Sequence, residues 1–196
     1  MPSLKSHFVA VLALVCCGAQ AQNGTFQILH GDQVVGSIVV ERSIKGNSTA
    51  YSMVSLSSFV LVWKRSIRTT MTTQYINGQV TDCHSAVRMN NTVQDSSRLR
   101  TVAGKGLYFI HPSAVYGADL PTNAWTTARM YYEEPTGIAS IFVESALKDC
   151  PLDLIAAGEY RLTLPNKTRN HYIYRNGTLQ EIRVDRGWVD LVFRRN

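Results

Sequence analysis

Two tyrosines and two glutamates stand side by side at Tyr131, Tyr132, Glu133 and Glu134, closed by Pro135 and Gly137. A further carboxylate, Glu144, follows the apolar run Ile141, Phe142 and Val143. Glycoside hydrolysis runs on two carboxyl groups about 5–10 Å apart, so Glu134 and Glu144 are the candidate catalytic residues of a glycosidase- or esterase-like hydrolase. Glu133 does not complete such a pair with Glu134, because successive side chains of a strand face opposite ways. The competing reading is structural. Pro135 fixes its own φ and lacks an N–H, Gly137 takes positive φ, and the rigid reversal between them needs an acceptor for its remaining backbone donors. In that reading Glu134 accepts backbone N–H bonds and Glu144 pairs with an arginine, and it is the expected one, since carboxylates at strand ends mostly serve structure.

Other chemistries find little support. There is no Gly-x-Ser-x-Gly for a nucleophilic serine. His30, His84, His111 and His171 are isolated, without the spacings that hold a metal, so no metal site is expected, and no cofactor motif is present. Outside the first 21 residues only Cys83 and Cys150 remain. They form a possible disulfide in an oxidising compartment, or two buried thiols packing as small apolar groups. The absence of Cys-x-x-Cys argues against thiol redox chemistry.

Residues 1–21 have the three parts of a secretory leader: Lys5, the apolar run from Phe8 to Cys17, and the small-residue site Ala19, Gln20, Ala21. A run of this length is too short for a permanent span of a ~30 Å hydrocarbon core. An exported protein, periplasmic or extracellular, is therefore expected to begin at Gln22, with 22–196 as a single β-rich domain and no transmembrane segment in the mature chain. Removing Lys5 takes the 20 basic residues to 19 against 14 acidic ones, a net charge of +5. The densest positive groups are Arg194 with Arg195, and Lys64 with Arg65 and Arg68. Attraction to an anionic surface is one reading of them and a solvated surface the expected one. Nucleic-acid binding finds no motif and conflicts with export.

The elements that must position these residues read as strands. Residues 59–75 alternate most clearly, with Phe59, Leu61, Trp63, Ile67, Met71 and Tyr75 at odd positions and polar side chains at most even ones. Read as one strand, seventeen residues would reach ~56 Å, so the segment must bend, break or wrap. Asn77-Gly78 predicts a two-residue hairpin pairing Tyr75 with Val80, Met71 with His84 and Ile67 with Arg88, and the poor match of the last two pairs suggests a bulge. Asp95, Ser96 and Ser97 read as loop residues and 124–134 as a short helix ending before Pro135, with a further turn near 151–155. About ten short-turned strands with at most one or two short helices predict an all-β, antiparallel, strongly curved sheet or partly open β-barrel.

The succession of leader, Gly-bearing hairpins, Tyr132-x-Glu134-Pro135-x-Gly137, Val143-Glu144, Tyr160-x-Leu162-x-Leu164-Pro165 and Tyr172-x-Tyr174-x-Asn176-Gly177 resembles an uncharacterised family of secreted bacterial proteins, a domain of unknown function of about this size. Lys167 stands where such chains carry a glycine after Pro165-Asn166. The resemblance implies an all-β domain and brings no substrate or catalytic residue. More remotely, the pattern is similar to envelope proteins that carry lipid or lipoprotein on a curved open barrel. The functional expectation is a non-catalytic module binding an apolar or amphipathic ligand such as a lipid, with Phe59, Trp63, Tyr75, Phe109, Trp125 and Tyr132 as candidates to line its cavity. The sequence does not set the oligomeric state.

Overall fold

The computed structural model describes residues 20–60, 64–102, 105–111, 114–118, 124–185 and 190–196. The chain forms β1 (Gln20–His30), β2 (Gln33–Lys45), β3 (Ser48–Val60), β4 (Lys64–Ile76), β5 (Gln79–Met89), β6 (Thr92–Val102), β7 (Lys105–His111) and β8 (Ala114–Ala118). One helical turn, α1 (Thr127–Met130), precedes β9 (Ser140–Val143), β10 (Lys148–Ala156), β11 (Glu159–Thr163), β12 (Arg169–Arg175), β13 (Thr178–Asp185) and β14 (Asp190–Arg195). The fourteen strands form one antiparallel sheet in the order β8-β7-β6-β5-β4-β3-β2-β1-β14-β13-β12-β11-β10-β9. Every step between neighbours is a sequential hairpin except β1 to β14, which joins the two halves. Among the described residues no pairing links the edge strands β8 and β9, so the sheet is curved but open.

Local chemistry accounts for the hairpins. Asn77 and Gly78 take φ of 52° and 76°, Asn90 and Asn91 49° and 68°, and Asn176 and Gly177 53° and 72°. Positive φ at both central residues is the type I′ turn, whose twist matches that of the strands it joins. Lys167 also has positive φ, at 67°, where the resemblance calls for glycine.

The bulge suggested by the sequence lies between Gln74 and Tyr75. Tyr75 pairs with Val80 as expected, but beyond the bulge Met71 faces Ser85 and Ile67 faces Met89, while Arg68 lies opposite Arg88.

Several expectations are corrected. The alternating stretch 59–75, which had to bend, break or wrap, breaks into the end of β3 and most of β4, with 61–63, and so Trp63, outside the described residues. Partner numbers in this hairpin always sum to an even value, as in Tyr51 with Thr73 and Val60 with Lys64, so odd residues stay on one face across the reversal. Among the described residues fourteen strands replace about ten, in part because β8 and β10 occupy segments that read as irregular or turn-like and β9 falls on an apolar run not assigned to a strand. Asp95, Ser96 and Ser97 belong to β6. The leader lies almost wholly outside the described residues, and β1 begins at Gln20, two residues before the expected cleavage point.

The concave face is the core. Phe26, Ile28, Ile38, Val40, Tyr51, Met71, Tyr75 and Leu99 come from β1–β6, and Leu152, Tyr160, Leu162, Tyr174, Leu179 and Ile182 from β10–β13. Met130, Ile141, Phe142 and Val143 lie between the two sets. Strands of thirteen residues, about 43 Å at the usual rise, have to coil to share such a core.

Gly36 marks the tightest crossing. It faces Ile28 next to a register shift in β1–β2, and a Cβ there would stand 2.1 Å from Leu56 O and 2.7 Å from Ser57 Cα. Both obstacles are backbone, so β2 and β3 would have to separate. Gly36→Ala should lower stability by about 1–3 kcal/mol, the usual cost of overpacking. Thermal melts of the two proteins test this, and an unchanged midpoint would refute the close approach.

Candidate functional site

Residues 124–139 lie in the hollow of the sheet, with Ala128, Met130 and Tyr131 in its core, and lead into the edge strand β9. The helix expected over 124–134 is a single turn, for a reason visible in the backbone. Trp125 O accepts from Phe142 N at 2.8 Å, and Thr126 bridges Phe142, so these residues pair with β9 instead of with a helix. Thr126 is extended, with φ −126° and ψ 164°, and its hydroxyl caps Arg129 N.

Glu144 is fully buried directly after β9. Oε1 accepts from Thr73 Oγ1 of β4 and from Ala128 N, both at 3.0 Å. Oε2 accepts from Thr127 N at 3.2 Å and from the Thr127 hydroxyl. The Glu144 carbonyl accepts from Ser97 of β6 at 2.7 Å. The expected arginine partner is replaced by these neutral donors, two of them orphan N–H groups at the start of α1. A side chain closed off in this way does not reach a substrate, which removes Glu144 from direct acid–base chemistry.

The adjacent glutamates are split by the turn after α1, not by a strand. Glu133 accepts Arg129 Nε and Nη2 at 2.9 and 2.6 Å, Arg42 Nη1 at 3.2 Å and the Tyr51 hydroxyl at 3.4 Å. Glu134 accepts the Tyr160 hydroxyl of β11 at 2.9 Å, in place of the expected backbone donors. Glu134 and Glu144 therefore tie different strands to the same segment. Sequence reasoning missed Arg42, Tyr51 and Thr73, which lie some ninety to seventy residues away in the chain; only the i,i+4 spacing of Arg129 and Glu133 was a local signal.

The aromatics divide likewise. Tyr75 is buried and donates to Thr126 Oγ1 at 2.8 Å, so it fills the core, and burial pushes its hydroxyl pKa far up. Tyr132 packs on Tyr51 at 5.6 Å with the Arg42 guanidinium 5.2 Å from its ring, and its hydroxyl donates to Gln22 O. Trp125 carries Arg129 4.2 Å above its ring. Phe109 is opposite Arg98 on the convex face, because its neighbour Tyr108 takes the buried position. The side chain of Phe59 is outside the described residues. Cys83 and Cys150 are free, not bonded: Cys83 pairs with Thr73 and Leu99 in the core of β5, Cys150 with Ile141 between β9 and β10. Burial raises both thiols, Cys83 the further, with Glu144 adding to it, so neither is a ready nucleophile.

The described residues do line one sizeable hollow. A groove of about 390 Å³ crosses the convex side of β1–β5, lined by Ala21, Asn23, Glu41, Ser43, Ala50, Ser52, Thr72, Gln74 and Asp82, with Arg42, Tyr51 and Thr73 at its floor. Register sets its grain. One cross-strand row runs Asn23, Glu41, Ser52, Thr72, His84, and the next runs Thr25, Val39, Val54, Thr70, Ala86. The groove is polar along the first row, and the second begins an aliphatic strip that Leu56 extends.

Comparison with known proteins follows the fold. A family model described as a domain of unknown function, DUF6134, matches residues 26–196. Among solved structures, the chain is similar to a β-barrel-like protein of the domain of unknown function DUF1849 from Brucella abortus, with a TM-score of 0.51 and 12% identity over 89% of this chain and 95% of that one. At that identity the likeness shows the fold alone. A search of curated proteins finds no match.

Two outcomes test this account. Glu144→Gln keeps the shape but turns an NH2 toward donors, so it should cost about 2–4 kcal/mol, the range for disrupting a buried charge-assisted network. A denaturant titration showing no loss would contradict the tether. His84 provides a pH test. Burial, then Arg98, lowers its pKa below the ordinary 6.5, with Asp82 opposing. The unfolded chain thus takes up this proton first, so the contribution is complete above about pH 6.5 and declines as acid carries the solution through the lowered value. His84→Gln should flatten the melting temperature between pH 7 and 5 relative to the parent; parallel profiles would refute it.

Proposed function

The chain belongs to the DUF6134 family, a domain of unknown function, and we propose that it is an exported, non-catalytic module of the cell envelope that binds an amphipathic ligand in the convex groove. The groove is the observation that carries the reading. Its volume, about 390 Å³, falls among ligand pockets, roughly 300–1,000 Å³. Hydroxyl and amide groups from Asn23, Ser52, Thr72 and Gln74 suit a polar headgroup, and the neighbouring Val39, Val54 and Leu56 suit the start of an apolar tail. Val39 and Leu56 are 42% and 48% exposed, so this strip is open to a ligand.

The hydrolase alternative uses Glu134 and Glu144. Against it stands the engagement of both carboxylates in bonds that hold the inner segment. Nor do the groove's own acids supply a pair. Glu41 on β2 and Asp82 on β5 are three strand spacings apart, roughly 14 Å, beyond the separation of glycosidase carboxylates.

Export rests on the leader sequence. Cleavage after Ala21 leaves Gln22 as the first residue, with its amide oxygen accepting from Arg42 Nη2 at 2.6 Å, so the new terminus stays attached to the sheet. Loss of Ala21 also opens one end of the groove.

Native mass spectrometry of protein purified from its own cell envelope tests the proposal. The expected mass begins at Gln22 and carries an amphiphile, which Ser52→Trp, filling the groove, should expel while leaving the melting temperature intact. Two results would overturn it: a ligand retained unchanged by Ser52→Trp, or a Glu134→Gln protein that melts normally but has lost hydrolysis of an envelope polysaccharide or ester.

A further inference from the structure

The bulge between Gln74 and Tyr75 has a consequence on the convex face. Without it Arg88 would lie opposite Ile67; with it Arg88 is paired with Arg68. Two guanidinium groups on directly opposed positions repel, and sheets ordinarily avoid the arrangement. Among the described residues neither arginine forms an ion pair, and the two nearest cross-strand rows, Thr25-Val39-Val54-Thr70-Ala86 and Gln27-Ser37-Leu56-Arg68-Arg88, contain no carboxylate. Beside the cations lie aliphatic groups exposed by between a third and a half: Leu56 at 48%, Val39 at 42% and Val93, the β6 partner of Arg88, at 36%.

We propose that this patch, centred on Arg68, Arg88 and Leu56, docks the protein on the surface of an anionic phospholipid membrane. Arginine is suited to phosphate, whose oxygens match the guanidinium fork, and paired guanidinium groups lose their mutual repulsion when a phosphate lies between them. Exposed aliphatic side chains between the cations add the apolar contact that a headgroup layer accepts. An acidic protein would satisfy the arginines but leave Val93, which the groove's strip does not include, without an apolar partner. The patch adjoins the groove on the same convex face, so docking would bring the groove to the lipid. The inference does not depend on what the groove binds.

The test is co-sedimentation of the mature protein with vesicles of phosphatidylcholine alone or mixed with phosphatidylglycerol. The parent should sediment with the mixed vesicles only, and Arg68→Gln/Arg88→Gln should weaken that binding at least about ten-fold. Leu56→Ser should weaken it by less, and salt near 1 M should abolish it, since screening then acts within about 3 Å. The double variant removes a repulsion, so its melting temperature should hold or rise, which separates lost docking from lost fold. Millimolar inorganic phosphate should leave docking intact; release by it would show a site for the free ion instead. Ser52→Trp should still sediment, so failure of the groove reading and failure of this one are distinguishable. Equal sedimentation of parent and double variant, or equal binding to phosphatidylcholine alone, would overturn the proposal.

Discussion

A carboxylate with no access to water has to be met by donors, and at Glu144 those donors come from two places that the chain must bring together. Thr73 belongs to β4, and Thr127 and Ala128 open α1. Satisfying the side chain therefore fixes the inner segment against the first half of the sheet, and Ser97 holds the same residue's carbonyl from β6. Losing any one of these donors leaves a buried acceptor short, so the bonds act as a unit. The same segment reaches the second half through Tyr174, whose hydroxyl donates to Met130 O at 2.6 Å, and through Tyr160 on Glu134. Among the described residues this sheet of fourteen strands has no closing hydrogen bonds between its edges. The inner segment takes over that function by tying both halves to itself.

That arrangement explains why the glutamates attracted attention as a chemical site. Acids next to tyrosines are what a catalytic cleft would need, but they are also what a segment needs if it must cross a hollow and bond to strands on every side. Burial decides between the two uses. Glu144 has no exposure, and Glu133 is held by Arg129 as a fork and by Arg42. The arginine–glutamate contacts keep partial access to solvent and contribute modestly; the Glu144 bonds, fully desolvated, are where a substitution costs most.

Much of the architecture was legible because it is local. Asn77-Gly78 announced its hairpin, and the mismatch of Met71 with His84 announced a bulge. What stayed hidden was hidden by symmetry or by distance. Parity ran unbroken through the β3–β4 reversal because the register preserves it, so the length of 59–75 called for a bend or break while the alternation did not mark where it falls. The segment 124–134 has helix-compatible residues, yet Trp125 and Thr126 spend their backbone groups on Phe142, a partner no local pattern reveals. Cys83 and Cys150 illustrate the same limit: both are buried in apolar surroundings, but on strands from different halves of the sheet, and the thiols are free. The groove could not be read at all, since its lining comes from five strands brought together by long-range pairing.

Filling the hollow also bears on where the proposed ligand would go. In a carrier built on an empty curved sheet the concave face is the binding surface. Here Met130, Ile141 and Phe142 occupy it from within the chain, and Tyr75, a candidate to line a cavity, bonds to Thr126 instead. The face left for partners along β1–β5 is the convex one, where small side chains such as Ser52 and Thr72 leave room between longer ones. A rigid inner face supports this use, since a groove on the back of a sheet keeps its shape only if the strands beneath it do not slide. Tyr51 and Thr73 at its floor are the residues bound to Glu133 and Glu144 from the other side. The bonds that occupy Glu133 and Glu144 are the ones that hold the groove's floor in place.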